Sequence, residues 1–406
     1  MGTPAPLASR TYFANLIVLI TLIQGSMALP RPVCTFILPS TTSPLITDVP
    51  ANGNSASRAK HEDPGHYVCA PTSPPRGLLV FVPGLAATDY TLFARASSET
   101  GLAVVVISSE ACSLSCCGPA SSLNCSATDP ASAKAVQECY HNDRLMHLVG
   151  KGGGAHENPA HYPTINQSNS IVGRTKALLS YLSHSGNKTF LPFGDFLHNT
   201  TGELVWTNTT VAGHSCASYY PILMAARFPV QRMVMTGGAG GSLVGFDLQL
   251  QLPKESIYGF VMSTPDCGDA TKGSECARRC AACDASGATP CTYAQNEVDY
   301  DMLGLPGQAG VKASILSSIS PNDTTALATA LGGARQLFDR DVCVYPGRPI
   351  MTHLCQICDL QTHIDAKDRP VLAPVWRYLV ANQMRPSATA MAHNVTCNDT
   401  ARGNGG

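Results

Sequence analysis

Gly213-His214-Ser215-Cys216-Ala217 sets a serine among small residues. Before it, Thr210-Val211-Ala212 reads as a short buried strand, and after it Ser218 to Arg227 reads as a helix. A strand, a tight turn and a helix form the setting in which a serine is held out as a nucleophile. The turn strains the serine backbone, so its neighbours must be small. Gly213 and Ala217 meet that need, although Ala217 stands where glycine is more usual. The bland alternative is an ordinary buried serine in a strand-to-helix turn.

A serine hydroxyl attacks well only when a base removes its proton, and that base is usually a histidine oriented by a carboxylate. In known hydrolases that present a serine on such a turn, the acid follows in the chain and the histidine comes last, and the sequence can be searched in that order. The turn after Met235 contains only Thr, Gly, Ala and Ser and supplies no acid. The next strand, Ile257 to Met262, leads to Asp266, the expected acid, with Asp269 in reserve. A solvated aspartate in a Pro/Gly turn is the competing reading. Downstream lie His353, His363 and His393. His393 falls between the last helix and a glycosylation sequon and is a poor choice. His363, in a polar loop before the terminal helix, is the preferred base, with His353 the alternative; a surface histidine of no function remains open for either. Oxyanion donors are expected at the backbone N–H of Cys216 and in the loop after Leu78–Val82, at Leu85 with Ala86 next.

These residues need a scaffold of strand ends. Leu78 to Val82 is a continuous apolar run ending at Pro83-Gly84, Thr91 to Thr100 reads as a helix closed by Gly101, and Leu102 to Ile107 is another apolar run. That β-α-β order predicts parallel pairing. Tyr67-Val68 starts an earlier strand, Ile171 to Leu182 has a helical face, Arg232 to Met235 is a strand closing in a glycine run, and Pro374 to Val380 is the final helix. The alternation predicts one α/β domain with a mostly parallel central sheet flanked by helices. It spans 66–385, with Cys-rich insertions at about 110–165 and 267–345, an irregular arm at 29–65 and a tail at 386–406.

Composition restricts the setting. A net charge of −1 and only 14% charged residues give no nucleic-acid footprint and no polybasic membrane surface. Arg10, the apolar run Phe13–Ile23 and Ser26-Met27-Ala28 read as a signal peptide over residues 1–28. The run is too short to cross a ~30 Å hydrocarbon core, no later segment is long and apolar enough to span, and the C-terminus lacks the hydrophobic tail of a lipid-anchor signal. The expectation is a secreted protein without a stable membrane anchor.

Eight Asn-x-Ser/Thr sequons (Asn124, Asn166, Asn187, Asn199, Asn208, Asn322, Asn394, Asn398) point to N-linked glycans. Seventeen cysteines point to disulfides, the odd number leaving at least one free or paired with another chain. Cys276, Cys280, Cys283 and Cys291 have knuckle-like spacing, and Cys355 and Cys358 have redox-like spacing, but in a secreted chain both sets are read as disulfides. Cys112, Cys116, Cys117, Cys125 and Cys139 staple the first insertion by the same logic. Cys216 is read as the buried odd thiol in preference to a bridge with Cys267, since strands two apart lie ~10 Å from each other and a disulfide needs Cα atoms within ~7 Å. His141, His147, His156 and His161 are read as solvated loop residues rather than metal ligands.

Leu79-Val80-Phe81-Val82-Pro83-Gly84, the Gly101–Ile107 strand, Gly213-His214-Ser215 and Arg232–Met235 with its glycine turn resemble secreted serine hydrolases of the α/β-hydrolase superfamily. The resemblance covers roughly 66–380 by element order and implies an esterase-type mechanism with Ser215, Asp266 and His363, no cofactor and no metal. Its implied partner is a small-molecule or polymeric ester, and the same triad also cleaves amides. Cys216-Ala217-Ser218 departs from the glycine-rich continuation of many relatives. Two rival readings stand beside it. One is a catalytically inactive extracellular binding protein on the same fold, favoured by Ala217 and the heavy loop decoration. The other is a disulfide exchanger using Cys355 and Cys358.

Overall fold

A computed structural model describes residues 31–48, 65–84, 90–109, 130–150, 165–238, 249–262, 303, 305, 308–320, 323–339, 342, 357, 362–366 and 368–381. Among the described residues, nine strands form one sheet in the order β1-β2-β4-β3-β5-β6-β7-β9-β8. They are β1 Val33–Ile37, β2 His66–Ala70, β3 Gly77–Val82, β4 Leu102–Val106, β5 Thr209–His214, β6 Arg232–Thr236, β7 Ile257–Met262, β8 Gln308–Val311 and β9 Gln336–Asp339. β1–β2 and β2–β4 pair antiparallel. Every other pair is parallel.

Among the described residues, the α-helices longer than one turn are α1 Thr91–Ser98, α2 Pro130–Val149, α3 Ile171–His184, α4 Tyr219–Arg227, α5 Ala313–Ser318, α6 Thr324–Ala330 and α7 Ala373–Val380. Because side chains alternate across a strand, β2 to β6 feed two cores at once. Val68, Leu78, Val80, Ala103, Val105, Val211 and Met233 face the side holding α3 and α4. Leu79, Phe81, Val104, Ala212 and Val234 face the side holding α1 and α7. On that second side Phe93 packs edge-on against Trp376 and at a tilt against Phe81. Arg232 is buried there, donates to Leu379 O at 3.0 Å and lies over the Tyr258 ring.

The expected strands and helices from Tyr67 to Met262, and the last helix, are present within a few residues of their expected ends. Two features go beyond the sequence reading. The arm expected to be irregular carries β1, which is joined to β2 by the Cys34–Cys69 disulfide between directly opposed residues. The stretch 308–339, expected within an insertion, supplies β8 and β9 at the far end of the sheet.

The arm is held by buried polar groups. Arg174 on α3 donates to Thr47 O and Asn169 O, and also reaches Ser108 O. Ser108 N–H donates to His66 Nδ1 at 3.0 Å, which puts the ring proton on Nε2. Burial, with help from the Arg174 cation and against the pull of Asp48, lowers the His66 pKa to about 3 from 6.5. The folded protein therefore refuses a proton that the unfolded chain accepts. The stability due to neutral His66 is complete above pH 6.5 and is lost as pH falls toward 3, at up to about 1.4 kcal/mol per pH unit. His66→Asn, which keeps an acceptor near the Nδ1 position, should lose less stability than wild type between pH 7 and pH 4.5 in urea unfolding. Identical pH dependence would show that His66 carries no such linkage.

Candidate functional site

β5 is fifth of the nine strands, and all six of its residues are buried. At its C-terminal end Ser215 takes φ 58°, a left-handed conformation shared, among described non-glycine residues, only with Asp368. A 3₁₀ turn, Ser215–Ser218, follows and runs into α4. The left-handed region costs a non-glycine residue about 1–3 kcal/mol, so the surroundings must enforce it.

They do so by steric closure and by hydrogen bonds. A Cβ on Gly213 would lie 2.4 Å from Ala217 O, so the turn folds directly onto the glycine. Thr236 Oγ1 donates to Gly213 O at 3.0 Å. Ser218 Oγ lies 3.0 Å from Gly213 O and 2.8 Å from Thr236 O, sharing its one proton between them. Ala217 keeps an ordinary negative φ and its methyl packs in the core, so glycine is not required there. The departure at Ala217 is thus compatible with the turn, and Ser218 uses its hydroxyl to brace it.

A second loop abuts the turn. A Cβ on Gly84 would lie 2.8 Å from His214 O and 3.0 Å from Ser215 Cβ. Gly84 N–H donates to Tyr90 Oη at 3.2 Å, and Tyr90 Oη lies 3.3 Å from His214 Nδ1. Tyr90 and His214 are both buried, and the Tyr90 ring stands edge-on to Phe81. Tyr90 was not among the expected site residues, and nothing around it in sequence marks it. Leu85 and Ala86 lie outside the described residues.

Near the turn, Cys216 is disulfide-bonded, which overturns the expectation of a free thiol there; Cys139 on α2 is disulfide-bonded as well. α2 itself corrects the reading of the first insertion as loop. His141 Nδ1 is 3.1 Å from Tyr219 Oη, and burial, then the Arg227 cation, lowers the His141 pKa. His147 is buried with Nε2 3.6 Å from Asp143 Oδ1, and the Arg144 guanidinium lies over the Tyr140 and Tyr219 rings. His141 and His147 are therefore packed helix residues and not solvated loop residues. The absence of Gly and Pro from 131 to 149 was the one sequence signal for this helix.

Asp266, Asp269 and His353 lie outside the described residues. His363 is exposed and precedes α7. Its loop is closed by the Ile364–Pro370 bridge, by Val371 N–H donating to His363 O at 2.9 Å, and by an Arg369–Asp365 ion pair at 2.7 Å. The structure brings together Ser215, Cys216 and Gly84 and leaves the acid and base to the sequence argument.

A mostly parallel sheet flanked by helices, with a left-handed serine between a central strand and its helix, is the α/β-hydrolase fold. No family model matches the chain, and no curated protein matches it. Similar solved structures include a poly(3-hydroxybutyrate) depolymerase from Bordetella parapertussis, at 13% identity, covering 68% of this chain and 78% of that one, with a TM-score of 0.28. Esterase B from Lactobacillus rhamnosis is 10% identical, covers 81% and 83%, and has a TM-score of 0.24. An S-formylglutathione hydrolase from Staphylococcus aureus is 11% identical, covers 77% and 91%, and has a TM-score of 0.20.

The two small residues of the turn should behave oppositely. Gly213→Ala drives a methyl into backbone and should cost about 1–3 kcal/mol or more in urea unfolding. Ala217→Gly removes one buried methyl and adds chain entropy, a loss of about 1–2 kcal/mol, with the turn kept. If Gly213→Ala is neutral, the steric account of the turn is wrong.

Proposed function

We propose that this protein is a secreted serine hydrolase acting on carboxylic esters through an acyl-enzyme. The observation that carries the reading is Ser215 at φ 58° at the end of a central parallel strand, with the Gly84 loop against it. A strained, non-glycine turn braced by the buried Thr236 and Ser218 hydroxyls is a form in which a serine hydroxyl is presented above a sheet.

In this scheme Ser215 Oγ attacks the ester carbonyl while His363 takes its proton; His353 is the alternative base. Asp266, with Asp269 in reserve, orients the imidazole and stabilises its charged form. The backbone N–H of Cys216 is one oxyanion donor. Gly84 N–H donates to Tyr90, and Leu85 is the second donor in this reading, with Ala86 next. His363 then returns the proton to the leaving alcohol, and water hydrolyses the acyl-enzyme by the same steps. The scheme draws on no metal or cofactor. Among the described residues no helix is long and apolar enough to cross a membrane. The Cys34–Cys69 disulfide agrees with passage through an oxidising compartment, as do the expected signal peptide and N-linked glycans.

A fluorophosphonate probe on the purified, disulfide-intact protein, followed by peptide mass spectrometry, tests the reading. The expected outcome is one adduct, on Ser215, absent in Ser215→Ala, together with ester turnover that the variant loses by at least about a thousandfold. Folded wild-type protein that takes no adduct and turns over no ester would move the assignment to a non-catalytic binding protein.

A further inference from the structure

We infer that Asn187 and Asn199 carry N-linked glycans in the folded protein while Asn208 stays bare, which sets the sugars at the end of the sheet opposite Ser215. Secretion, proposed above, is the premise, because only a chain that enters the secretory pathway meets the transferase. The transfer forms a bond from Asn Nδ2 to the anomeric carbon of an oligosaccharide carried on a lipid pyrophosphate. The bond from that carbon to the pyrophosphate oxygen breaks, and the lipid pyrophosphate leaves as the amide gives up one proton. The product is bulky and polar, so a chain folds around it only where its surface leaves room.

Four sequons lie wholly within the described residues, beginning at Asn166, Asn187, Asn199 and Asn208, and their surroundings differ. Asn187, Lys188 and Thr189 are all exposed, just past the end of α3. Asn187 Oδ1 accepts from Thr189 N–H at 3.0 Å, which leaves Nδ2, the atom that takes the sugar, bonded to no described residue. A Cβ on the neighbouring Gly186 would meet nothing within 4 Å, so the space beside the turn is open. Tyr181 and Leu191, large apolar side chains left exposed on either side of it in the chain, are the kind of surface that a glycan covers. Asn199, Thr200 and Thr201 are exposed as well, in a turn closed by the Leu197–Leu204 bridge, and the space around Gly202 is equally open. Asn208 is half-buried, Thr210 of its sequon is buried inside β5, and a Cβ on Gly77 of β3 would lie 3.3 Å from Asn208 Oδ1. A glycan there would be wedged against the first residue of β3. Asn166 is exposed, but its Oδ1 accepts from Asn169 N–H and Asn169 Nδ2, which places it in the network that holds the arm.

The strands fix where the sugars stand. Arg174, near the start of α3, reaches Ser108 O beyond the C-terminal end of β4, so α3 runs back toward the N-terminal ends of the parallel strands. Asn187 and Asn199 lie between the end of α3 and the start of β5. Ser215 follows the other end of β5, six residues and about 20 Å away.

The test expresses the full chain in a eukaryotic secretory host. Protein recovered from the medium is treated with a peptide N-glycosidase in heavy-oxygen water, so that each occupied asparagine becomes a labelled aspartate read by peptide mass spectrometry. Label is expected at Asn187 and Asn199 and not at Asn208. Asn187→Gln and Asn199→Gln should each lower the apparent mass on a denaturing gel by one glycan, the double variant by two, and Asn208→Gln by none. Secreted protein that is bare at Asn187 or Asn199, or labelled at Asn208, overturns the inference and leaves secretion standing. A chain retained inside the cell with no label at any sequon overturns the secretory premise and the glycan assignment with it.

Discussion

The left-handed backbone of Ser215 is the constraint around which the rest of this structure is arranged. A serine does not adopt that conformation by preference, and a turn that cost about 1–3 kcal/mol without support would relax. It persists because β5 is fixed on both sides, by β3 and by β6, in a register that brings Gly213 beside Met235 and His214 beside Thr236. Thr236 and Ser218 then occupy the Gly213 carbonyl, and the absence of a side chain at Gly213 lets Ala217 O come within reach of the strand. Sheet, glycine and hydroxyls enforce one geometry together.

The same logic extends outward from the turn. The Gly84 loop gains its place by close approach, and its buried N–H is satisfied by a phenol carried on the N-terminal side of α1. An unsatisfied buried amide would cost about 1–3 kcal/mol, and the phenol oxygen relieves that cost. On the other side of the turn, Tyr219 and Tyr220 pack beneath α2, where Asp143, Arg144 and His147 are buried. Burial raises the Tyr220 phenol pKa, so that ring remains neutral at physiological pH.

The antiparallel edge of the sheet is secured differently. β1 carries exposed apolar residues, Val33 and Phe36 among them, and so contributes little burial of its own. Its attachment depends on the ladder with β2, on the Cys34–Cys69 bridge, and on the Arg174 network that gathers the arm, the turn before α3 and the loop after β4. The desolvated His66 at the base of this network ties the attachment to pH, whereas the parallel strands at the centre are held by apolar burial on both faces.

Local pattern determined much of this protein. The apolar runs at 78–82, 102–107 and 257–262 are buried strands because nothing but a two-sided core accepts them. The chain turns at Ser215 because the small residues Gly213 and Ala217 let the strand pass into a helix at that spacing. Tertiary structure alone decided what has no local periodicity. Tyr90 meets His214 across 124 residues. Cys34 faces Cys69 only because β1 finds β2 in that register. α2 takes its shape from packing on α3 and α4, since its own apolar pattern is weak. β8 and β9, four residues each, are too short to announce themselves without the sheet edge that they extend. Short-range steric and hydrophobic rules read from neighbouring residues; hydrogen bonds and disulfides between distant ones exist only after the sheet has brought their strands together.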